Sequence, residues 1–196
     1  MLDDKALDLL FFSARTYNGF QDRPVHDDVL RRLHEIMKWA PTSMNSQPMR
    51  VVYLRSKAER EKLLPALSPA NKEKTAVAPL TAIIAYDTRF YEHLPRMFRN
   101  NPNAMGVFSP PEKKAFAEIN AFRNGTLQGA YFIIAARALG LDCGGMSGFD
   151  NAKVDAAFFP DGRLKSNFLV NLGYGDPAKL LPRNPRLEFE EVCQVL

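Results

Sequence analysis

Apolar positions recur along this chain with two different periods and divide it into helical and extended pieces. Leu2, Ala6, Leu9 and Leu10 fall at helical spacing and predict a first helix within residues 2–13. Val29, Leu30, Leu33, Met37 and Ala40 form a second apolar stripe; Asp27 and Asp28 suit the positive end of its dipole, and Pro41 stops it. Residues 51–54 read as a short strand, 57–67 as a short helix broken near Pro65, and 81–86 as a buried strand by their continuous apolar run. Residues 100–111 are crowded with Asn, Pro and Gly and predict a loop. A long helix follows from 112 towards 139, with Asn124–Gly125 as the place where it can break and Gly140 as its terminator. Asp150 opens a short helix to 158, residues 168–172 form a strand, and 173–177 a turn. The tail 178–196 keeps Leu180, Leu181, Leu187, Phe189 and Val192 without a clear period, which predicts docking on a neighbouring surface, a second subunit included. Helices alternating with few short strands predict a layered αβ architecture, one domain over residues 1–196.

Composition narrows the class. With 46% apolar and 24% charged residues, disorder is excluded. The 26 Lys+Arg against 22 Asp+Glu leave a formal charge of +4, which fits a nucleic acid, an anionic cofactor or an anionic substrate. Cys143 and Cys193 are too few for a disulfide framework or a cysteine-rich zinc site. The start MLDDKALDLL is acidic, unlike a secretion signal. The most apolar window, 127–141, is interrupted by Gln128 and Arg137 and falls short of the ~20 residues that span a bilayer. The expectation is a cytoplasmic chain with no membrane partner.

Several chemistries are ruled out by missing motifs. There is no GxxxxGK[ST], no GxGxxG after a strand and no GxSxG around Ser43 or Ser46. His26, His34 and His93 are too scattered for a metal cluster, and the basic residues form no stripe interleaved with aromatics, so neither a metal nor a nucleic-acid partner is expected. What remains are polar clusters beside predicted element ends: Arg15-Thr16-Tyr17-Asn18-Gly19-Phe20, Pro41-Thr42-Ser43-Met44-Asn45-Ser46-Gln47-Pro48, Asn71-Lys72-Glu73-Lys74, Gly144-Gly145-Met146-Ser147-Gly148-Phe149-Asp150 and Arg183-Asn184-Pro185-Arg186.

In this order the clusters resemble the FMN-dependent nitroreductase family. Residues 41–48 fill every fixed position of its P-[ST]-S-x-N-x-Q-P signature. Arg15-Thr16-x-Asn18-x-Phe20 is similar to its R-S-x-[RK]-x-F element, with Asn18 in place of the usual base. Ala138-Leu139-Gly140-Leu141 and Gly148-Phe149-Asp150 resemble the helix end and the flavin-facing loop, and Arg183 and Arg186 fall where the family keeps bases for the phosphate. The resemblance covers about residues 11 to 191. Met37-Lys38-Trp39, Ala121-Phe122-Arg123-Asn124, Asp155-Ala156-Ala157-Phe158-Phe159, Leu164-Lys165-Ser166-Asn167 and Gly173-Tyr174-Gly175-Asp176 resemble, more narrowly, the branch containing malonic semialdehyde reductase.

The resemblance implies an α+β, three-layer nitroreductase-like fold, a central mixed or antiparallel sheet between helices, and an intertwined homodimer with FMN at the subunit interface. It implies an NADPH- or NADH-driven oxidoreductase reducing malonic semialdehyde, a small anionic aldehyde, to 3-hydroxypropionate. A broad nitro or quinone reductase and a non-catalytic flavin-binding module are the alternatives. Arg15, Thr16, Arg183 and Arg186 would hold phosphate, since guanidinium forks match its oxygens. Asn18 and Asn71 would pair the pyrimidine edge of the ring, and Lys74, three residues after Asn71, would offset charge there; capping a helix and facing solvent are the plainer roles for that pair. Pro41, Thr42, Ser43, Asn45 and Gln47 would shape the ring-facing loop, and Met146, Ser147 and Gly148 would bring a backbone amide to the flavin. Many relatives place an acid where Ser147 stands. Cys143 is expected to be a small buried hydrophobe. The chemistry rests on the cofactor, so no catalytic side chain is named, while Arg123 and Arg89 are the candidates for a substrate carboxylate.

Overall fold

The computed structural model describes all 196 residues. Strands β1 (Met49–Leu54), β2 (Leu80–Asp87), β3 (Asp142–Met146) and β4 (Leu164–Gly173) form one sheet in the order β1-β2-β4-β3. Every neighbouring pair is antiparallel, so of the two expected sheet types the antiparallel one is found. Helices α1 (Asp4–Leu7), α2 (Asp27–Met37), α3 (Lys57–Leu63), α4 (Pro69–Ala76), α5 (Leu94–Met97), α6 (Lys114–Ala138), α7 (Asn151–Phe158) and α8 (Phe189–Val192) surround it.

The side-chain period of two sorts the central strands between two cores. Leu80, Ala82 and Ile84 of β2 join Val170 and Leu172 of β4 against Leu33 and Met37 of α2 and Phe132, Ala135 and Ala136 of α6. Ile83 and Ala85 face the other way with Leu169, against Leu63 and Val154 of α3 and α7. Burial on both faces explains why 81–86 reads as an unbroken apolar run. A third cluster, Phe90, Leu94, Ala104, Phe108, Ala117 and Ala121, packs residues 88–108 onto the first half of α6.

Several expected boundaries shift. The first helix is a single α turn followed by a π turn, Asp8–Phe12, closed by the Ser13 N–H donating to Asp8 O at 2.8 Å. The 57–67 helix ends at Leu63, and a 3-10 turn over Leu64–Ala66 takes in Pro65. The loop 100–111 holds a 3-10 turn, Ala104–Val107. The long helix does not break at Asn124–Gly125. Both residues are buried, and glycine there lets α6 lie close on the sheet: a Cβ on Gly125 would sit 3.3 Å from Tyr86 Cβ. Gly144, Gly145 and Met146 of the Gly144 cluster lie in β3, a strand that the sequence pattern did not predict. Gly140 ends α6 as expected, at φ +74. Asp150 caps α7 by accepting the Lys153 N–H at 3.1 Å. No helix is long and apolar enough to cross a membrane.

Gly129 tests the close approach of α6. A Cβ there would lie 2.4 Å from Phe168 Cζ and 3.2 Å from Ile84 Cγ2. Gly129→Ala is expected to lose about 1–2 kcal/mol of stability in urea unfolding, overpacking outweighing the ~1 kcal/mol helix-propensity gain. An unchanged or raised midpoint would show that Phe168 gives way freely.

Candidate functional site

Residues 13–18 lie along the outer edge of β3. Thr16 forms a parallel bridge with Cys143, and the Tyr17 N–H donates to Cys143 O at 3.0 Å. Only glycine permits this at position 144, since a Cβ would lie 2.5 Å from the Tyr17 carbonyl oxygen. Burial pushes the Cys143 thiol up to about 12, so it stays protonated and behaves as the expected buried hydrophobe. The C-terminal segment crosses the same edge: Arg15 donates to Leu181 O, and Arg183 Nη2 donates to Ala14 O at 3.0 Å.

These segments enclose a cavity of about 250 Å³ lined by Arg15, Thr16, Asn18, Arg137, Arg183 and Arg186, with no Asp or Glu in its wall. Arg137, from the last turn of α6, donates through Nη1 to Leu10 O at 3.2 Å, while its Nε is buried without a partner. Arg186 donates only to its own segment, the Asn184 and Pro185 carbonyls, at 3.0 Å each. Four guanidiniums around one small cavity repel unless an anion sits among them. Sequence reasoning missed Arg137; its one signal was a charge interrupting the apolar run 127–141.

A second row adjoins the cleft. Lys74 of α4 places its Nζ 3.4 Å from Asn18 Oδ1, across 56 positions of sequence. It is half-buried with no carboxylate within 4 Å, and burial holds its pKa below the ordinary lysine value. On the same helix, buried Asn71 donates through Nδ2 to Gly148 O at 2.9 Å, so it ties down the loop after β3 instead of capping α4. Ser147 and Gly148 face solvent, while buried Met146 lies with its sulfur 3.6 Å from Thr75 Oγ1. The chain thus gathers Arg15, Thr16, Asn18, Asn71, Lys74, Met146, Ser147, Gly148, Arg183 and Arg186 on the β3 side.

The loop holding Pro41, Thr42, Ser43, Asn45 and Gln47 lies elsewhere, before β1 at the opposite sheet edge. Met44, Asn45 and Gln47 have φ of 54, 50 and 42, left-handed values costing non-glycine residues roughly 1 kcal/mol or more each. The strain is held by polar contacts: Ser43 N–H to Asn124 Oδ1 at 2.8 Å, Asn45 Nδ2 to Met97 O at 2.9 Å, Gln47 Nε2 to Asn45 Oδ1 at 2.8 Å and Gln47 N–H to Thr42 Oγ1 at 3.2 Å. Buried Gln128 continues the support by accepting the Met49 N–H at 2.9 Å. Asn124 and Gln128 are a further pair that the sequence did not mark. At 1.5 Å per helical residue, Asn124 beside this loop and Arg137 beside the cleft stand about 20 Å apart along α6. One chain does not bring the two groups together. Arg123 is exposed next to Asn124, and Arg89 sits in neither group, its Nε 3.5 Å from Glu92.

Gly148 offers a direct test of the Asn71 contact. A Cβ there would fall 2.8 Å from Asn71 Nδ2 and 2.9 Å from Ser68 Oγ, whereas at Gly145 the nearest atom is 3.9 Å away. Gly148→Ala is expected to lower Tm by roughly 2–8 °C, the equivalent of 1–2 kcal/mol, and Gly145→Ala much less. Equal shifts would remove Asn71 as the anchor.

Known proteins share this framework. The family model described as the nitroreductase family matches residues 13–174. A Cupriavidus pinatubonensis protein is 53% identical over 195 residues, covering 100% of both chains, and Ralstonia pickettii HadB is 55% identical, covering 96% of both; each is provisionally named an NADH dehydrogenase/NAD(P)H nitroreductase. Among solved structures, Bacillus subtilis ydfN superposes with a TM-score of 0.88 at 19% identity, covering 99% of this chain and 100% of that one. A nitroreductase-type protein from Exiguobacterium sibiricum, solved in complex with FMN, superposes with a TM-score of 0.85 at 16% identity, covering 100% and 99%. The family match over most of the chain, and relatives above 50% identity along its whole length, show that the chain belongs to the nitroreductase family.

Proposed function

We propose that this chain is an FMN-dependent NAD(P)H oxidoreductase that works as a homodimer. The observation that carries this reading is the cleft of four guanidiniums with no carboxylate in its wall, next to a half-buried Lys74 that meets only the Asn18 amide. That donor set fits FMN, whose phosphate is a dianion and whose ring edge presents donors and acceptors. Arg15, Arg183 and Arg186, with Thr16 and the newly found Arg137, would hold the phosphate. Asn18 and Asn71 would offer amides to the pyrimidine edge, Lys74 an ammonium that favours negative charge there, and residues 146–148 a backbone N–H. When bound, FMN supplies hydride transfer from a reduced nicotinamide to an acceptor, so the side chains bind and orient rather than attack. The names of the close relatives and the FMN complex of a structural neighbour support the same assignment.

The loop with Pro41, Thr42, Ser43, Asn45 and Gln47 would serve the cleft of a second copy, since its own cleft is out of reach. Phe116, Ile119, Phe122, Leu127 and Tyr131 leave one face of α6 apolar and exposed, and Leu9, Phe11, Phe12, Leu181, Leu187 and Phe189 do the same at the termini. Apolar surface of this extent calls for a partner. Leu127→Asp should convert a dimer to monomer in sedimentation and release flavin with it; a monomeric variant that retains flavin would separate the interface from the site.

For the acceptor, the sequence stretches shared with the malonic semialdehyde reductase branch favour that aldehyde acid, with Arg123, exposed beside the loop-holding Asn124, as the partner for its carboxylate. The nitroreductase names of the relatives favour the broad nitro or quinone reading. The purified protein should be yellow and bleach on adding NADPH or NADH, and Arg183→Ala should weaken FMN binding by about 10-fold or more. Colour without bleaching would leave only a flavin-binding module. A kcat/KM for malonic semialdehyde above that for a nitroarene would select the aldehyde reading, and the reverse order would defeat it.

A further inference from the structure

A second cavity, of about 320 Å³, is lined by residues of neither group described above and lies where residues 88–91, 108–118 and 162–165 meet. Three cations line it: Arg89, Lys114 and Lys165. Its only carboxylate, Glu118, is already bound by Lys165. The neighbouring acids are committed too. Asp87 is buried and takes Arg163 at 3.1 Å and Arg50 at 3.0 Å, and Glu92 takes Arg163 at 2.9 Å. Arg89 meets Glu92 through Nε, at 3.5 Å, and Lys114 makes no ion pair. Among the side chains that line the cavity, three cations face one carboxylate, so positive charge remains in the wall after the Lys165–Glu118 pair is drawn.

The rest of the wall suits the same occupant. Ser109 and Tyr91 bring hydroxyls, while Phe108, Ala117, Pro110 and Pro111 give apolar sides. Phe108 and Ala117 belong to the third core cluster, and Thr88 Oγ1 donates to Arg163 O at 2.8 Å, so the wall is packed. The volume is at the low end for small-molecule pockets.

We propose that this cavity binds a small oxyanion, a short organic acid or a phosphate, through Arg89 and Lys114, with Lys165 bridging Glu118 at its floor. A planar guanidinium presents paired N–H donors to a carboxylate or phosphate, and an ammonium adds a point charge that Ser109 and Thr88 cannot supply. The site shares no lining residue with the arginine cleft, so its occupancy can be read separately from that of the cofactor.

The test is calorimetric titration of the purified protein, kept saturated with FMN so that the arginine cleft is filled, with malonate and separately with inorganic phosphate at low ionic strength. Saturable binding of at least one anion is expected, weakened about fivefold or more by Lys114→Ala and by Arg89→Ala, and restored to near wild type by Lys114→Arg. Tighter binding of malonate identifies a carboxylate site, and tighter binding of phosphate a phosphoryl site. Failure of both anions to saturate, or affinities that neither alanine variant changes, would overturn the proposal. Flavin absorbance recorded on the same samples keeps this outcome separate from that of the cofactor assignment.

Discussion

A buried line of polar side chains holds the α4 side of the molecule to its sheet. Thr81 Oγ1 of β2 donates to Asn171 Oδ1 of β4 at 2.8 Å, and Asn171 Nδ2 donates to Thr75 Oγ1 of α4 at 3.2 Å. All three residues are fully buried, so each unmade bond would cost about 1–3 kcal/mol, more than an ordinary contact gains. The line therefore fixes the position of α4 against the two central strands. From there the consequences reach outward. Thr75 touches Met146 at the end of β3, Asn71 holds the Gly148 carbonyl, and Lys74 is delivered to Asn18. A hydrophobic contact in place of Asn171 would allow sliding; the directional bonds do not.

At the other sheet edge the chain accepts strain. Three left-handed non-glycine residues within four positions are stable only because Asn124, Met97 and Thr42 capture the loop's polar groups. Such conformations collect where a surface must present particular atoms. The long helix α6 connects both ends: its middle holds this loop and the start of β1 through Asn124 and Gln128, and its last turn supplies Arg137 to the cleft. A rigid helix thus fixes the separation of two polar groups that a single chain cannot close.

The elements with strong local chemistry were legible in the sequence. The acids opening α2, Asp150 before α7, Gly140 after α6 and the apolar run of β2 all state their conformation in neighbouring residues. β3 was not legible, because Asp-Cys-Gly-Gly-Met shows no alternation of apolar and polar side chains; its strand is made by pairing with β4 and by the room Gly144 leaves for Tyr17. Helix α4 is polar along most of its length and owes its place to Thr75 and Asn71. Of the site, the clusters around Arg15 and Arg183 could be named as charge beside element ends. Their meeting with Arg137 could not, since it depends on the tail folding back across β3. The separation of the 41–47 loop from the cleft was equally invisible, being a property of helix length and sheet order.

The cleft also bears on how the tail is held. Its walls come from three distant stretches, and the bonds between them, Arg15 to Leu181 and Arg183 to Ala14, run from arginine to backbone carbonyl. Neither bond neutralises a charge, so the mutual repulsion of the guanidiniums opposes the closed arrangement that these bonds hold. An anion in the cavity reverses the sign of that force, because each arginine is then attracted to a shared centre. A ligand bound only by the closed arrangement stabilises it by RT ln(1 + [L]/Kd), about 2.7 kcal/mol at a hundred times Kd. The tail carries the apolar residues Leu181, Leu187, Phe189 and Val192 that call for a partner. On the proposed reading, an anion held in the cleft would also hold the tail across β3, so that cofactor binding and an interface built on the tail would be coupled.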